Sequence, residues 1–115
     1  MSRVVEFRTY RLKAGVRPAF HALMEAESLP LLRAWGMDVV AFGPCREDAD
    51  GCVLIRAYAD EAHLRASQEA FYGSAAWRQG PREAVLAGIE SHLSVVLELD
   101  EAGIEALRRA IPGAP

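Results

Sequence analysis

The 115-residue chain is poor in the side chains that hold metals and nucleotides. Its two cysteines, Cys45 and Cys52, are too few for a zinc site, and none of its three histidines lies near them in sequence. No two histidines stand at i, i+4 spacing, and the glycines occur singly at turns rather than in a Walker or dinucleotide pattern. No serine lies in a G-x-S-x-G elbow. No apolar run approaches the roughly 20 residues that cross a bilayer. No basic patch is dense enough to follow a phosphate backbone, the net charge being −3 and the pI about 5.6. These absences remove most cofactor-bound enzyme classes. The expectation is a protein with no cofactor and no metal, and with neither nucleic acid nor membrane as a partner. Met1 is followed at once by the polar, charged start of a strand instead of a signal peptide, so the cytoplasm is the expected location. In that reducing compartment the cysteines, which flank a hairpin loop, act as small apolar strand residues.

What is present is an ordinary globular composition, 51% hydrophobic and 25% charged, with a mean hydropathy of +0.04. The length suits one domain, which needs no disulfide or metal to hold its core. Residues 3–12 alternate as a strand, with Val5, Phe7 and Thr9 on one face and Glu6, Arg8 and Tyr10 on the other. From Val16 to Trp35 the period becomes helical, with an apolar stripe through Phe20, Leu23, Met24, Leu31 and Ala34 and a C-cap at Gly36. Two β-rich runs, 37–45 and 51–59, flank an acidic loop that closes at Gly51 and mark a hairpin. Asp60 caps a helix to Tyr72, Ser74 a short one containing Trp77, and Pro81 restarts the chain at a first helical position. Val85, Leu86 and Ile89 give that restarted helix its apolar side. A fourth strand follows at 91–99, and Asp100 caps a final helix before a frayed Pro/Gly tail. The order is β-α-β-β-α-β: an α+β, ferredoxin-like fold with a four-stranded antiparallel sheet. The domain occupies residues 1–100, and 101–115 form the C-terminal helix and tail.

One sheet face carries only apolar residues: Val5, Phe7, Val53, Ile55, Leu93, Val95 and Leu97. It is expected to lie under the helices, whose stripes need a dry surface. The opposite face is mixed, with Glu6, Arg8, Tyr10, Leu54, Arg56, Tyr58, His92, Ser94 and Val96. It is too rich in Tyr, Leu and Val for solvent, so it is expected to meet a second copy. Arg8, Tyr10, Arg56, Tyr58 and His92 are the dimer-face candidates, with Glu6, Arg8 and Arg56 pairing inside or across the seam.

The candidates for chemistry are few. Glu27 falls in mid-stripe between Met24 and Leu31, three residues before Pro30, which removes a helical N–H and bends the helix. A carboxylate on a dry face beside a kink has the setting of a general acid or base; an ion pair with an arginine, or a kink that rotates Glu27 outward, is the more ordinary explanation. His21 borders the same stripe and is the second catalytic candidate. His63 lies where a capping role is expected. The stretch "FYGSAAWRQGPRE" (71–83) supplies Phe71, Tyr72 and Trp77, which with Trp35 are the candidate ligand-binding aromatics between helices and sheet.

Two segments carry a resemblance. "EFRTYRLKAG" (6–15), through Arg8, Tyr10, Leu12 and Gly15, resembles the opening of NIPSNAP-family proteins, and "FYGSAAWRQGPRE" resembles their second signature through Phe71, Tyr72, Ser74, Trp77 and Arg78. The resemblance runs from residue 4 to about 99. It implies a homodimeric α/β barrel of two ferredoxin-like subunits, in a superfamily that holds cofactor-free monooxygenases, haem-degrading enzymes and lactone isomerases. NIPSNAP proteins themselves have no settled enzymatic role, and the chain lacks the Asn–Trp–His set of the haem degraders. The expected function is binding of a small apolar molecule between helices and sheet, the alternative a cofactor-independent monooxygenase or isomerase.

Overall fold

The computed structural model describes residues 2–111. Strand β1 (Ser2–Leu12) leads into helix α1 (Arg17–Leu23), a π-helical segment (Met24–Ser28) and helix α2 (Leu29–Ala34). The hairpin β2 (Asp38–Pro44) and β3 (Gly51–Tyr58) follows, then α3 (Glu61–Tyr72), α4 (Ala75–Arg78), α5 (Arg82–Gly88), β4 (Ile89–Asp100) and α6 (Glu101–Ala110). The strands lie in the order β2-β3-β1-β4 and every neighbouring pair is antiparallel. This is the expected ferredoxin-like arrangement. The expected frayed tail at 112–115 lies outside the described residues.

Local chemistry sets the boundaries. Asp60, Ser74 and Asp100 each accept the backbone N–H of the third residue of the following helix, at 2.8, 3.2 and 2.7 Å. Each such cap contributes about 1 kcal/mol. Gly36, at φ +97°, takes the left-handed conformation that ends α2. At Gly80 a Cβ would lie 2.3 Å from the Ala76 carbonyl oxygen, so only glycine lets the chain turn from α4 into α5. Two expectations shift slightly. Pro81 is the cap of α5 rather than its first residue, and Ile89 opens β4 instead of ending the helix.

The first helical stretch is not a simple bent helix. Leu29 N–H bonds the Met24 carbonyl, five residues back, so one extra residue enters the turn just before Pro30. The phase moves accordingly. The buried positions after Met24 are Ser28, Leu29 and Leu32, not Glu27 and Leu31, and Ala34 is exposed.

The two sheet faces are used in the reverse of the expected way. Tyr10, Leu12, Cys52 and Leu54, from the mixed face, form the main core with Phe20, Met24, Leu32, Phe71, Trp77 and Val85 of the helices. Arg56 and Tyr58 are 0% and 1% exposed within one chain and cannot be a surface that receives a second copy. Arg8 and Tyr10 are largely covered by the same chain, and His92 lies at the open margin. The reason is charge pairing. Across β1 and β3, Glu6 faces Arg56 in register, so the polar groups of this face satisfy one another and the rest is apolar enough to pack under helices.

The apolar face, which also carries the exposed Thr9, points the other way. Helix α6 covers one half of it, where Ile104 packs with Val5, Val40, Ala41, Ile55 and Ala57. Arg3 and Arg108 bind Asp38 at 3.0 and 2.8 Å and hold α6 against β2. On the other half Leu93, Val95 and Leu97 are 66%, 48% and 51% exposed.

Candidate functional site

The helices do not reach across to β4, where the helix-side residues His92, Ser94 and Val96 stay exposed. The gap leaves a groove of about 450 Å³ between α3 and β4, with Glu6, Arg8, Gln68 and Ser94 in its wall. Arg8 also borders a cavity of about 80 Å³ walled by Tyr10, Met24, Leu32, Leu54, Phe71, Tyr72 and Trp77, with His92 at its edge. Arg8 thus lines both the cavity and the groove.

Around Arg8 lies a dense polar network. Glu6 Oε1 accepts from Arg56 Nη2 at 2.7 Å and Gln68 Nε2 at 2.8 Å. Its Oε2 accepts from Arg8 Nη2 at 2.9 Å and Ser94 Oγ at 2.8 Å. Arg8 Nε also donates to Ser94 at 3.1 Å. The Tyr72 hydroxyl oxygen receives both guanidiniums, from Arg56 at 2.8 Å and Arg8 at 3.3 Å. Gln68 Nε2 reaches Tyr58 Oη at 3.1 Å. Arg56 Nε is buried without a partner.

The protonation states follow. Burial pushes the Glu6 carboxyl up, but Arg56, Arg8 and the donors on it outweigh burial and hold it below its ordinary value. Burial disfavours the charge on Arg56, yet the surrounding tyrosines and Glu6 keep its pKa raised. Burial, with Tyr72 adding, pushes Tyr10 up to about 12, and burial also raises Tyr58. The network thus contains two guanidinium cations and one carboxylate anion. Glu6, with donors on both oxygens, has no lone pair placed to take a proton from a substrate.

The four candidate aromatics do come together. Phe71 lies 5.0 Å from Tyr72, 5.5 Å from Trp77 and 5.7 Å from Trp35, and Tyr72 lies 5.3 Å from Trp77. Phe71 and Trp77 are buried and wall the cavity, while Trp35 is 40% exposed and backs the cluster from outside.

The two candidate bases are elsewhere. Glu27 is exposed, turned outward by the π-helical segment. His21 Nε2 meets Glu25 Oε1 at 2.7 Å on the outer side of α1, and its ring lies 5.2 Å from that of Phe42. Neither borders the cavity. His63 serves its cap, its N–H donating to Asp60 and its Nδ1 accepting from Ala59 N–H at 2.9 Å. Both cysteines are free thiols. Burial, with Cys45 adjacent, pushes the Cys52 thiol up to about 12. Among the described residues no group of three or more His, Cys, Asp or Glu side chains is placed to hold a metal ion. No helix among them is long and apolar enough to cross a membrane.

Of this network only Tyr72 is read from the sequence as a ligand residue; Arg8, Arg56 and Tyr58 are expected there at a dimer face, and Glu6, Gln68 and Ser94 are given no part in a ligand site or a reaction. A signal existed for Gln68 and Glu6. Leu64, Gln68 and Tyr72 recur every four residues on α3, and a ferredoxin-like register sets Glu6 opposite Arg56.

No family model matches the chain, and no curated protein does. Solved structures do. A NIPSNAP domain protein from Burkholderia xenovorans is similar at 24% identity and TM-score 0.75, over 85% of this chain and 95% of that one. A NIPSNAP family protein of unknown function from Agrobacterium tumefaciens is similar at 19% identity and TM-score 0.76, over 84% and 87% of the two chains. A protein from Bacteroides thetaiotaomicron, provisionally named an antibiotic biosynthesis monooxygenase, is similar at 15% identity and TM-score 0.59, over 81% and 85%. The chain has the fold these proteins share.

Proposed function

We propose that this chain, which has the NIPSNAP fold, is a homodimeric NIPSNAP-type domain that binds a small, mostly apolar molecule in the cleft between its helices and sheet. The observation that carries the reading is the meeting of an aromatic cavity with a buried, charge-rich network at Arg8 and Tyr72. Ligand pockets combine mostly apolar walls with a few placed polar groups, as this cleft does. The cavity of about 80 Å³ alone is below the roughly 300–1,000 Å³ usual for such sites. The groove on the other side of Arg8, of about 450 Å³, is of that size.

The homodimer rests on the uncovered half of the apolar face. Leu93, Val95 and Leu97 stand exposed in a row on β4 and continue into the half-buried Phe7 and Val53. This surface carries no charge that would repel its own copy, and a two-fold pairing matches it to itself.

The test is titration with indole and p-cresol as neutral ring probes, followed by thermal shift, alongside sedimentation at micromolar concentration. Binding that weakens in Trp77→Ala and is indifferent to Glu27→Gln supports the site. Probes that bind no better to the parent chain than to Trp77→Ala count against it, as a compact single-chain species counts against the dimer.

The second reading is a cofactor-independent monooxygenase or isomerase, favoured by the fold shared with the Bacteroides protein. With Glu27 and His21 outside the cleft, a base would have to come from its margin, where His92 is the remaining histidine. Oxygen uptake or substrate turnover lost in His92→Gln, with the melting temperature held, is the result that separates an enzyme from a binder.

A further inference from the structure

We infer that the ligand of this cleft is a small monoanion, a carboxylic acid whose carboxylate lies between Arg8 and Tyr72 and whose short apolar body enters the aromatic cavity. The inference rests on the binding reading of the same site and adds the charge and size of what is bound.

Charge comes first. Arg8 and Arg56 converge on one phenol oxygen, at 3.3 and 2.8 Å, yet they share a single carboxylate, that of Glu6. The Arg56 side chain is 0% exposed and that of Arg8 only 15%. One positive charge is therefore left without a counter-ion on side chains largely withdrawn from water, an arrangement that a bound anion would complete. The nearest other carboxylate of the groove, Glu61, is engaged on Arg65 at its exposed rim.

Free donors mark where the anion sits. A guanidinium has five N–H groups. Arg8 directs four of them at Ser94, Tyr72, Glu6 and Gln68, and one N–H remains on Nη1. The Tyr72 hydroxyl accepts two bonds, while its own proton has no acceptor among the described residues. Both groups border the cavity. A carboxylate with one oxygen on each would satisfy both donors and cancel the surplus charge. A neutral carbonyl would satisfy the donors alone, and a dianion would exceed the charge available and press on Glu6.

Size follows from the walls. Met24, Leu32, Leu54, Phe71 and Trp77 enclose about 80 Å³, room for a handful of heavy atoms. A short-chain or single-ring acid fits that description.

The experiment compares shape-matched pairs, benzoate with benzamide and butyrate with butyramide, by calorimetry at pH 7, with inorganic phosphate as a third probe. The acids are expected to bind about tenfold or more tightly than their amides, the difference between charge-assisted and neutral hydrogen bonding. Arg8→Gln should abolish that preference, and Tyr72→Phe carries the same comparison if the arginine variant does not fold. Amides that bind as well as acids overturn the monoanion and leave the binding cleft standing. Phosphate that equals benzoate also overturns it. If none of these probes binds, the inference falls, and indole and p-cresol then decide whether the reading beneath it falls too.

Discussion

Arg56 donates to Glu6 at 2.7 Å, with the two side chains 0% and 3% exposed, between neighbouring strands in the middle of the sheet. This pair lets a face bearing three charged residues lie under helices, and it ties β3 to β1 at the point where the cleft begins. A buried pair adds little net stability over apolar residues of similar shape, but losing one partner strands the other.

Glu6→Gln should therefore be among the most destabilising single substitutions in the chain. It leaves two guanidiniums with no anion, and a loss of about 3–5 kcal/mol is expected from chemical denaturation. A loss under about 1 kcal/mol would mean that water already reaches the network.

Stability should fall at both ends of the pH scale. Glu6 and Asp38 have folded-state pKa values below their ordinary 4.5 and 3.8, so their contribution is present above those values and is lost as the pH drops through the depressed ones. Tyr10 and Cys52 are raised to about 12 from 10.0 and 9.0, so their contribution is present below pH 9 and disappears between pH 9 and 12. Melting temperature measured from pH 2 to 12 should show a plateau with both shoulders. In Tyr10→Phe the alkaline shoulder should shrink.

The aromatic cluster and the π-helical segment predict opposite outcomes for two residues of similar prominence in the sequence. Trp77→Ala removes a side chain only 6% exposed and should cost about 3–5 kcal/mol. Glu27→Gln alters an exposed side chain and should change stability by about 0.5 kcal/mol or less. Urea denaturation of the two variants side by side checks both.

Helix α6 should behave as part of the folded unit. Ile104 is 0% exposed against Val5, Val40 and Ala41, so Ile104→Ala should cost about 2–5 kcal/mol. Hydrogen exchange at the β2 amides should accelerate with it, since Arg108 of the same helix holds Asp38. Unchanged exchange there would show that α6 docks independently.

On the apolar face, Val95→Lys places a charge where a second copy is proposed to pack. Sedimentation of this variant should give a single-chain species at concentrations where the parent chain is dimeric. A dimer that survives the substitution moves the interface elsewhere.

The amino-acid order by itself determined the elements and their sequence, because alternation, caps and turn residues act within a few positions of one another. Asp60, Ser74, Asp100, Gly36 and Gly80 mark boundaries that need no distant partner. It also determined the composition of the two sheet faces, since the period of a strand is two. Which face lies under the helices was decided only in three dimensions. Apolar content alone favours Val5, Phe7 and Val53 for that role; the pairing of Glu6 with Arg56 was legible, but that it closes within one chain, under the helices, follows only from the packed structure. The same holds for Glu27. One extra residue in the turn before Pro30 rotates it to solvent, and an inserted residue changes the phase of a helix without changing its apolar period. The site at Arg8 and Tyr72 exists because residues 64 positions apart converge, and convergence at that range belongs to tertiary packing alone.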